Sequence, residues 1–478
     1  MAKSTFKNTL DSLMRSWPGV GSSVPEEIQP HLPGEERRRV ERLMQECIES
    51  RGGEVSARSR AADLGRLYLR LDAKGKKRFL QILARKFALD RRRLLGSLDA
   101  YREKPSQVGE QRLREALFSP RMKLLQQFNA LPRGTKFLID LRSDMLPFTG
   151  KRNTFAGLDN ELKSLLATWF DIGFLELRRI TWESPAALLE KLIAYEAVHQ
   201  IESWEDLRNR LESDRRCYAF FHPAMPDEPL IFIEVALVNG IAGNIQALLD
   251  PKAPEIPPET ADTAIFYSIS NAQKGLRGIS FGNFLIKQVV DDLSRDLPNL
   301  KTFATLSPIP GLSQWLTEHL EAGGEKALPP RIDDVVRGAA RHLGVEAKLS
   351  SVLAHPDWPQ VGALRELLRE PMERLCALYL HQRRSDGAPI DPVERFHLGN
   401  GARIEAINWL GDTSSKGLRQ SFGMMVNYLY HLKDIDKNHE AYAAEKRIAA
   451  SRNVRQLLRE QDSGEDLLSR VSRMFGGR

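Results

Sequence analysis

In "LSPIPGLSQWL", residues 306–316, a serine stands directly before a proline, with a second proline two residues on and a glycine behind it. Proline fixes its own φ and pushes the preceding residue toward extended backbone, so Ser307 is confined to a narrow conformational range. A hydroxyl held this way can donate or relay a proton from a fixed place; the same dipeptide also serves as a turn that merely ends a strand. In "ERFHLGNGARIEAINWLGD", His397 precedes a Gly-Asn-Gly turn expected to reverse the chain between an entering strand and "ARIEAINWLGD". Its imidazole could act as general acid or base near neutrality, although a structural histidine looks the same in sequence. In "GMMVNYLYHL", Asn427, Tyr428 and Tyr430 stand among apolar residues. A buried tyrosine needs a partner for its hydroxyl, which can be structural or can point into a site.

A second kind of chemistry is legible in "AQKGLRGISFGNFLIKQVV". Gly275, Gly278 and Gly282 permit tight turns and close approach of a ligand, and unpaired amides after Gly282 would open a helix, where partial positive charge favours phosphate. Lys274 and Arg277 add net charge. The stretch lacks the GK[ST] of a P-loop, and no GxGxxG follows a strand, so a glycine-rich connection without a ligand is an equal reading. There is no HExxH, no Cys/His cluster and no spaced-aspartate loop, so metal catalysis has no sequence support. Asp291 with Asp292 and Asp333 with Asp334 read as solvated helix faces, and His199 and His222 as structural residues.

The elements that must position these groups fall into two textures. In the first third, "PGEERRRVERLMQECIES", "RSRAADLGRLYLRL", "AKGKKRFLQILARKFALDRRRLLGSLDAYREK" and "MKLLQQFNALPRGTKFLIDLRSDML" carry apolar residues at three- and four-residue spacing, predicting helix after helix. The basic run from Lys74 to Arg93 falls between Leu, Ile and Phe at helical phase and reads as a solvated face. After about Leu165, "SPAALLEKLIAYEAV" predicts a helix opened by a Ser-Pro cap. Four stretches rich in β-branched and aromatic residues, "CYAFFH", "PLIFIEVALV", "TAIFYSIS" and "LKTFATLS", predict strands. Between the last two, Phe284, Leu285, Val289, Val290 and Leu293 make an amphipathic helix. The unit strand, glycine-rich loop, helix, strand should therefore place the loop at the end of a sheet.

Composition sets the outer bounds. A chain of 478 residues with 42% hydrophobic content can bury a large core across two or three domains. Seventy basic against 63 acidic residues, a net +7, is a near-balanced surface that suits an anionic small molecule better than nucleic acid. Cys47, Cys217 and Cys376 are odd in number and form no CxxC pair, which predicts reduced thiols and a reducing compartment. No stretch approaches the roughly 18 apolar residues of a membrane span. Asp11 and the lack of early arginines weaken an organellar presequence in "MAKSTFKNTLDSLMRSW", so a cytoplasmic location is expected.

Taken in order, "FYSISNAQKGLRGISFGNFLIKQVV", "LSPIPGLSQWL", "FHLGNGARIEAINWLGD" and "MMVNYLYHL" resemble the malonyl-CoA decarboxylase family, and "AYEAVHQIESWEDL", "RRCYAFFHPAMPDEPLIFIEVAL" and "GNIQALL" agree. The resemblance runs from about Trp169 to Tyr430. It implies an α+β protein: an all-α helical N-terminal domain, residues 1–165, involved in homo-oligomerisation as a dimer or tetramer, then a GNAT acetyltransferase-like α/β catalytic domain, residues 166–478. It implies conversion of malonyl-CoA to acetyl-CoA and carbon dioxide without metal or other cofactor. It further implies that Ser307 and His397 are the catalytic pair, with Tyr430 in the same polar network. Coenzyme A would be bound by Arg277, Gly278, Ile279, Ser280, Phe281, Gly282 and Asn283. Where the family carries a glutamate, this chain has Ser280, which removes a carboxylate that could orient His397.

That chemistry suits the residues. Loss of carbon dioxide from a malonyl thioester leaves an enolate whose oxygen needs donors and whose carbon needs a proton, so aimed hydrogen bonds and water exclusion suffice. Backbone amides where a strand parts from its neighbour would form the oxyanion site, with His397 as proton source and Ser307 as relay. An acyltransferase that moves an acyl group from coenzyme A to an amine needs the same diphosphate cradle and is the alternative. A nucleic-acid-binding scaffold is disfavoured by the balanced charge and by the lack of interleaved basic and aromatic residues.

Overall fold

The computed structural model describes Trp17 and residues 28–149, 154–170, 172–279, 285–323 and 330–459. The helical texture of the first third folds as α1 (Gly34–Ile48), α2 (Glu54–Arg70), α3 (Ala73–Lys86), α4 (Arg91–Glu103), α5 (Gln107–Ala116), α6 (Pro120–Asn129), α7 (Gly134–Met145) and α8 (Ala156–Trp169). In α3, Phe79, Leu80, Ile82 and Leu83 are buried while Lys74 and Lys77 face solvent, so the basic run is the outer face of an amphipathic helix. Asp72 caps that helix by accepting from the Gly75 amide at 2.7 Å. Phe137 of α7 lies at the centre of this helical core, edge-on to Trp17, Tyr68 and Phe128 at ring-centroid distances of 5.4, 5.7 and 5.0 Å.

The expected strands form one mixed sheet of β1 (Glu176–Ile180), β2 (Arg215–Phe221), β3 (Ile231–Val238), β4 (Thr263–Asn271), β5 (Thr302–Thr305), β6 (Ser307–Pro308), β7 (Arg403–Asn408) and β8 (Met425–Leu429). Its order is β1-β2-β3-β4-β5-β8-β6, with β7 also on β8, and β4/β5 is its parallel pair. A parallel pair needs a crossover. Here it is the glycine-rich loop and a helix, Leu285–Asp296, which buries Leu285, Ile286, Val289, Val290 and Leu293 against the sheet. The predicted helix in "SPAALLEKLIAYEAV" spans Ala186–Tyr195, but Pro185 stands at its cap and Ser184 Oγ instead accepts from the Thr181 amide upstream at 3.0 Å.

One expectation is corrected. The segment entering the Gly-Asn-Gly turn is a helix, Pro392–Gly399, and not a strand. Asp391 caps it by accepting from the Val393 and Glu394 amides at 2.9 Å each, and Pro392, which lacks an N–H, fits the first helical turn. Local capping chemistry thus outweighed the turn signal behind it.

Pairing of β4 with β5 covers only Thr263–Phe266 against Thr302–Thr305. The Leu306 amide donates to the Phe266 carbonyl at 3.0 Å, after which the strands part. Beyond Phe266, β4 carries one extra residue: Phe266 pairs Val235 and Ser268 pairs Glu234, leaving Tyr267 as a bulge that turns the strand away. The β5 chain continues as Ser307 and Pro308 onto β8. The opening therefore lies at the C-terminal ends of two parallel strands, with Ser307 on one wall and the glycine-rich loop leaving the other, the usual place for a ligand in such sheets.

The core under this opening draws on both textures. Ile139 of α7 and Leu166 of α8 join Phe266, Val289, Phe303, Trp358 and Leu368 in the larger core, while Leu158 and Leu162 of α8 belong to the helical one. Among the described residues, no helix is long and apolar enough to cross a membrane. Replacing Phe137 by Ala should cost about 3 to 5 kcal/mol, read as a lowered urea midpoint for loss of helical signal; a midpoint at the parent value would show that the three ring contacts are not what closes this core.

Candidate active site

Ser307 enters the site on a two-residue strand whose register is set by Val426 and Met425. Its hydroxyl donates to Thr305 Oγ1 at 2.8 Å and meets His397 Nε2 at 3.1 Å. On the other edge of the ring, Nδ1 meets the Tyr430 hydroxyl at 2.7 Å. Tyr430 follows β8 directly and is fixed by its own amide, which donates to the Phe303 carbonyl at 2.8 Å. The structure thus brings together Ser307, His397 and Tyr430 as expected, all nearly excluded from solvent.

Thr305 was not among the expected site residues, yet its Oγ1 accepts from both Ser307 and the Tyr428 amide, the latter at 3.1 Å. The signal was available: two residues before Ser307 in an extended stretch puts a side chain on the same face. With Ser307 donating to Thr305, the line of donors has one consistent direction. Ser307 spends its proton on Thr305, so Nε2 carries the N–H that its oxygen accepts, and in the neutral ring Nδ1 then accepts from the Tyr430 hydroxyl.

Burial reinforces that state. With no charged partner beside it among the described residues, desolvation pulls the His397 pKa down to about 3. Burial pushes the Tyr430 phenol well above its ordinary value, which keeps it protonated. The ring is held flat by Tyr428, stacked at 4.4 Å and 23°, and edge-on by Phe396 at 5.1 Å. One turn earlier on the same helix, Glu394 is fully buried with both carboxyl oxygens unpartnered among the described residues. Burial first, then the charge of Asp391, raises its pKa well above the carboxylate range, so it is a neutral acid.

Two elements far apart in sequence are registered by a single phenol. Tyr379 donates its hydroxyl to Asp391 at 3.2 Å, the residue that caps the His397 helix. A Cβ at Gly311, just past the two prolines, would lie 2.1 Å from that same hydroxyl oxygen, so only glycine lets the Ser307 loop close onto it.

Of the expected coenzyme A residues, Arg277 and Gly278 are exposed and Ile279 is buried. Ser280, Phe281, Gly282 and Asn283 lie outside the described residues. No hydrogen bond joins Arg277, Gly278 or Ile279 to the Ser307 group; the loop shares the sheet end with it. His222 is structural, its Nε2 at 2.9 Å from the Trp169 carbonyl. The three cysteines are buried and unpaired, and burial pushes the Cys47 thiol up to about 12, leaving it unreactive.

Comparison with known proteins meets this geometry. Residues 173–467 match the family model described as malonyl-CoA decarboxylase C-terminal domain, and residues 87–170 match the malonyl-CoA decarboxylase N-terminal domain. The chain belongs to the malonyl-CoA decarboxylase family. It is 38% identical over 418 residues to the mitochondrial malonyl-CoA decarboxylase of Anser anser anser, covering 83% of each chain. Among solved structures it is similar to the malonyl-CoA decarboxylase of Agrobacterium vitis, at 43% identity and TM-score 0.78, and to that of Rhodopseudomonas palustris, at 42% and 0.77. Each match covers 88% of this chain and 99% of the other.

Within this family member, the neutral histidine has a pH signature. Unfolding exposes an imidazole of ordinary pKa near 6.5, so between about 6.5 and about 3 the unfolded chain binds the extra proton. Stability from this residue is complete above the unfolded value and is lost as pH falls through that window. For the folded enzyme, kcat should show no inflection between pH 6 and 7, as read from initial rates across that range. A step there that vanishes in His397→Asn would mean that the ring titrates in place and is not the neutral donor described.

Proposed function

We propose that this protein converts malonyl-CoA to acetyl-CoA and carbon dioxide, with the line Tyr430, His397, Ser307 as its proton path. The observation that carries the reading is the meeting of Ser307 and His397 at the point where β4 and β5 part. Breaking the bond from the α-carbon to the carboxylate leaves its electron pair on the thioester enolate. Such an enolate is a stronger base than an alkoxide or an imidazolate, so a neutral donor can protonate it. His397 reaches the α-carbon through Ser307, because both ring nitrogens are already engaged. The serine hydroxyl rotates off Thr305 and gives its proton to carbon, Nε2–H replaces it, the Tyr430 proton replaces that at Nδ1, and solvent restores the set after product leaves. The unpaired β4 edge beyond Phe266 supplies backbone donors for the enolate oxygen, and losing one such donor typically costs about 10²–10³ in rate.

Arg277, Gly278 and Ile279 are proposed to hold the coenzyme A diphosphate. Supporting this, Arg277 makes no ion pair among the described residues, and Gly278 takes φ +76°, which suits close approach of a ligand. The proposed division is 1–165 helical and 166–478 catalytic, with α8 lending side chains to both cores. A cytoplasmic location is also proposed; the three buried free thiols fit a reducing compartment, and recovery in an organelle fraction on cell fractionation would overturn it.

Pure protein given malonyl-CoA and nothing else should release carbon dioxide and acetyl-CoA in equal amounts. Free coenzyme A and an acylated amine, formed without carbon dioxide when an amine is added, would identify the acyltransferase instead. Ser307→Ala and His397→Asn should each lower kcat by about 10² or more while coenzyme A affinity is retained; near-normal turnover in either would remove that residue from the path.

Self-association is proposed through the hairpin of α4 and α5. No residue of α4 is buried, and Leu95, Leu98, Leu117 and Phe118 are exposed on or beside the pair, an apolar patch that a second copy would cover. Light scattering of the parent should give a multiple of 54.1 kDa, and Leu95→Glu with Phe118→Glu should reduce it to the single-chain mass; a doubly substituted chain that stays associated would place the interface elsewhere.

A further inference from the structure

Arg142 belongs to the helical part of the chain, yet its guanidinium holds the glycine-rich loop of the catalytic part. The residue is fully buried. Nε donates to Asp159 of α8 at 2.8 Å, one terminal nitrogen donates to the Gly275 carbonyl, and the other donates to the Arg277 carbonyl at 2.9 Å. Lys163 Nζ also meets Asp159, at 3.1 Å. A separate contact fixes the same place: a Cβ on Gly275 would lie 1.9 Å from the Ile139 carbonyl oxygen, so the loop rests directly on the α7 backbone.

The direction of these bonds matters. In a planar trans peptide the carbonyl and the next N–H point opposite ways, and no cis bond is present among the described residues. Drawing the Arg277 carbonyl onto Arg142 therefore turns the Gly278 N–H away from α7. That amide has no hydrogen-bond partner among the described residues, and both Gly278 and the Arg277 side chain are exposed.

We propose that Arg142 is a positioning residue for coenzyme A: by holding the Gly275 and Arg277 carbonyls against the helical layer, it presents the Gly278 amide and the Arg277 guanidinium to the diphosphate. The inference rests on the reading of Arg277 to Ile279 as the coenzyme A loop. A carbonyl released from Arg142 can swing toward the anion and repel it, so losing the fork weakens binding and leaves the chemical step in place. The helical part then has a task beyond joining subunits, since it sets which face of the loop meets substrate.

The test uses the full chain with Arg142→Lys, which keeps a charge beside Asp159 but cannot reach two carbonyls in a planar fork. Coenzyme A Kd and malonyl-CoA KM should rise by about tenfold or more, the worth of one charged hydrogen bond. Turnover should change little, and kcat/KM for malonyl-pantetheine, which lacks the diphosphate, should stay at the parent value. Equal losses with both substrates, or an unchanged Kd, overturn the proposal. Arg277→Ala separates it from the underlying reading. Unchanged affinity in Arg277→Ala means that the loop is not the diphosphate site, whereas weakened affinity there with parent affinity in Arg142→Lys removes Arg142 alone. If Arg142→Lys does not fold, Asp159→Ala, which removes the acceptor of Nε and leaves the guanidinium present, takes the same measurements under the same criteria.

Discussion

The site depends on keeping one imidazole dry and uncharged between two hydroxyl groups. Both ring nitrogens of His397 are engaged, one by Ser307 and one by Tyr430, and among the described residues no carboxylate pairs with the ring. Desolvation therefore acts unopposed, and the ring's proton inventory is decided by its neighbours rather than by bulk pH. A neutral relay of this kind suits the quenching of a strongly basic carbanion. It would serve poorly for a reaction that needed an imidazolium.

Everything around the ring serves to hold that arrangement still. Tyr428 covers its face, Asp391 caps its helix, and Tyr379 ties that cap to the glycine past the Ser307 prolines. The stiff Ser-Pro backbone makes sense in this setting, because a proton relay loses rate steeply when donor and acceptor drift. The parting of β4 from β5 would give the proposed relay its access, since a β-bulge at Tyr267 turns the strand away where Ser307 stands. The helical layer completes the arrangement from behind, with α7 lying against the loop that leaves the same sheet end.

Much of this was legible from local pattern. The helical first third, four of the strands and the crossover helix follow from periodicity, because a buried stripe or alternating face leaves the same mark in any context. Ser307, His397 and Tyr430 could be named from motifs and from the resemblance they carry. Less legible was the helix that bears His397, where a Gly-Asn-Gly turn suggested a strand before it while Asp391 and Pro392 were setting a cap. Thr305 was within reach through two-residue spacing. Glu394 and Arg142 were not, since each reads in sequence as one more surface charge.

By itself the sequence determined which segments are helices or strands, which residues could move a proton, and which family the chain resembles, because these depend on neighbours within a few residues. Only the tertiary structure decided that Tyr430 backs the imidazole, that the strands part at Phe266, and that Arg142 grips a loop far along the chain. Burial and long-range contact set charge state and direction, and neither leaves a local trace in the order of residues.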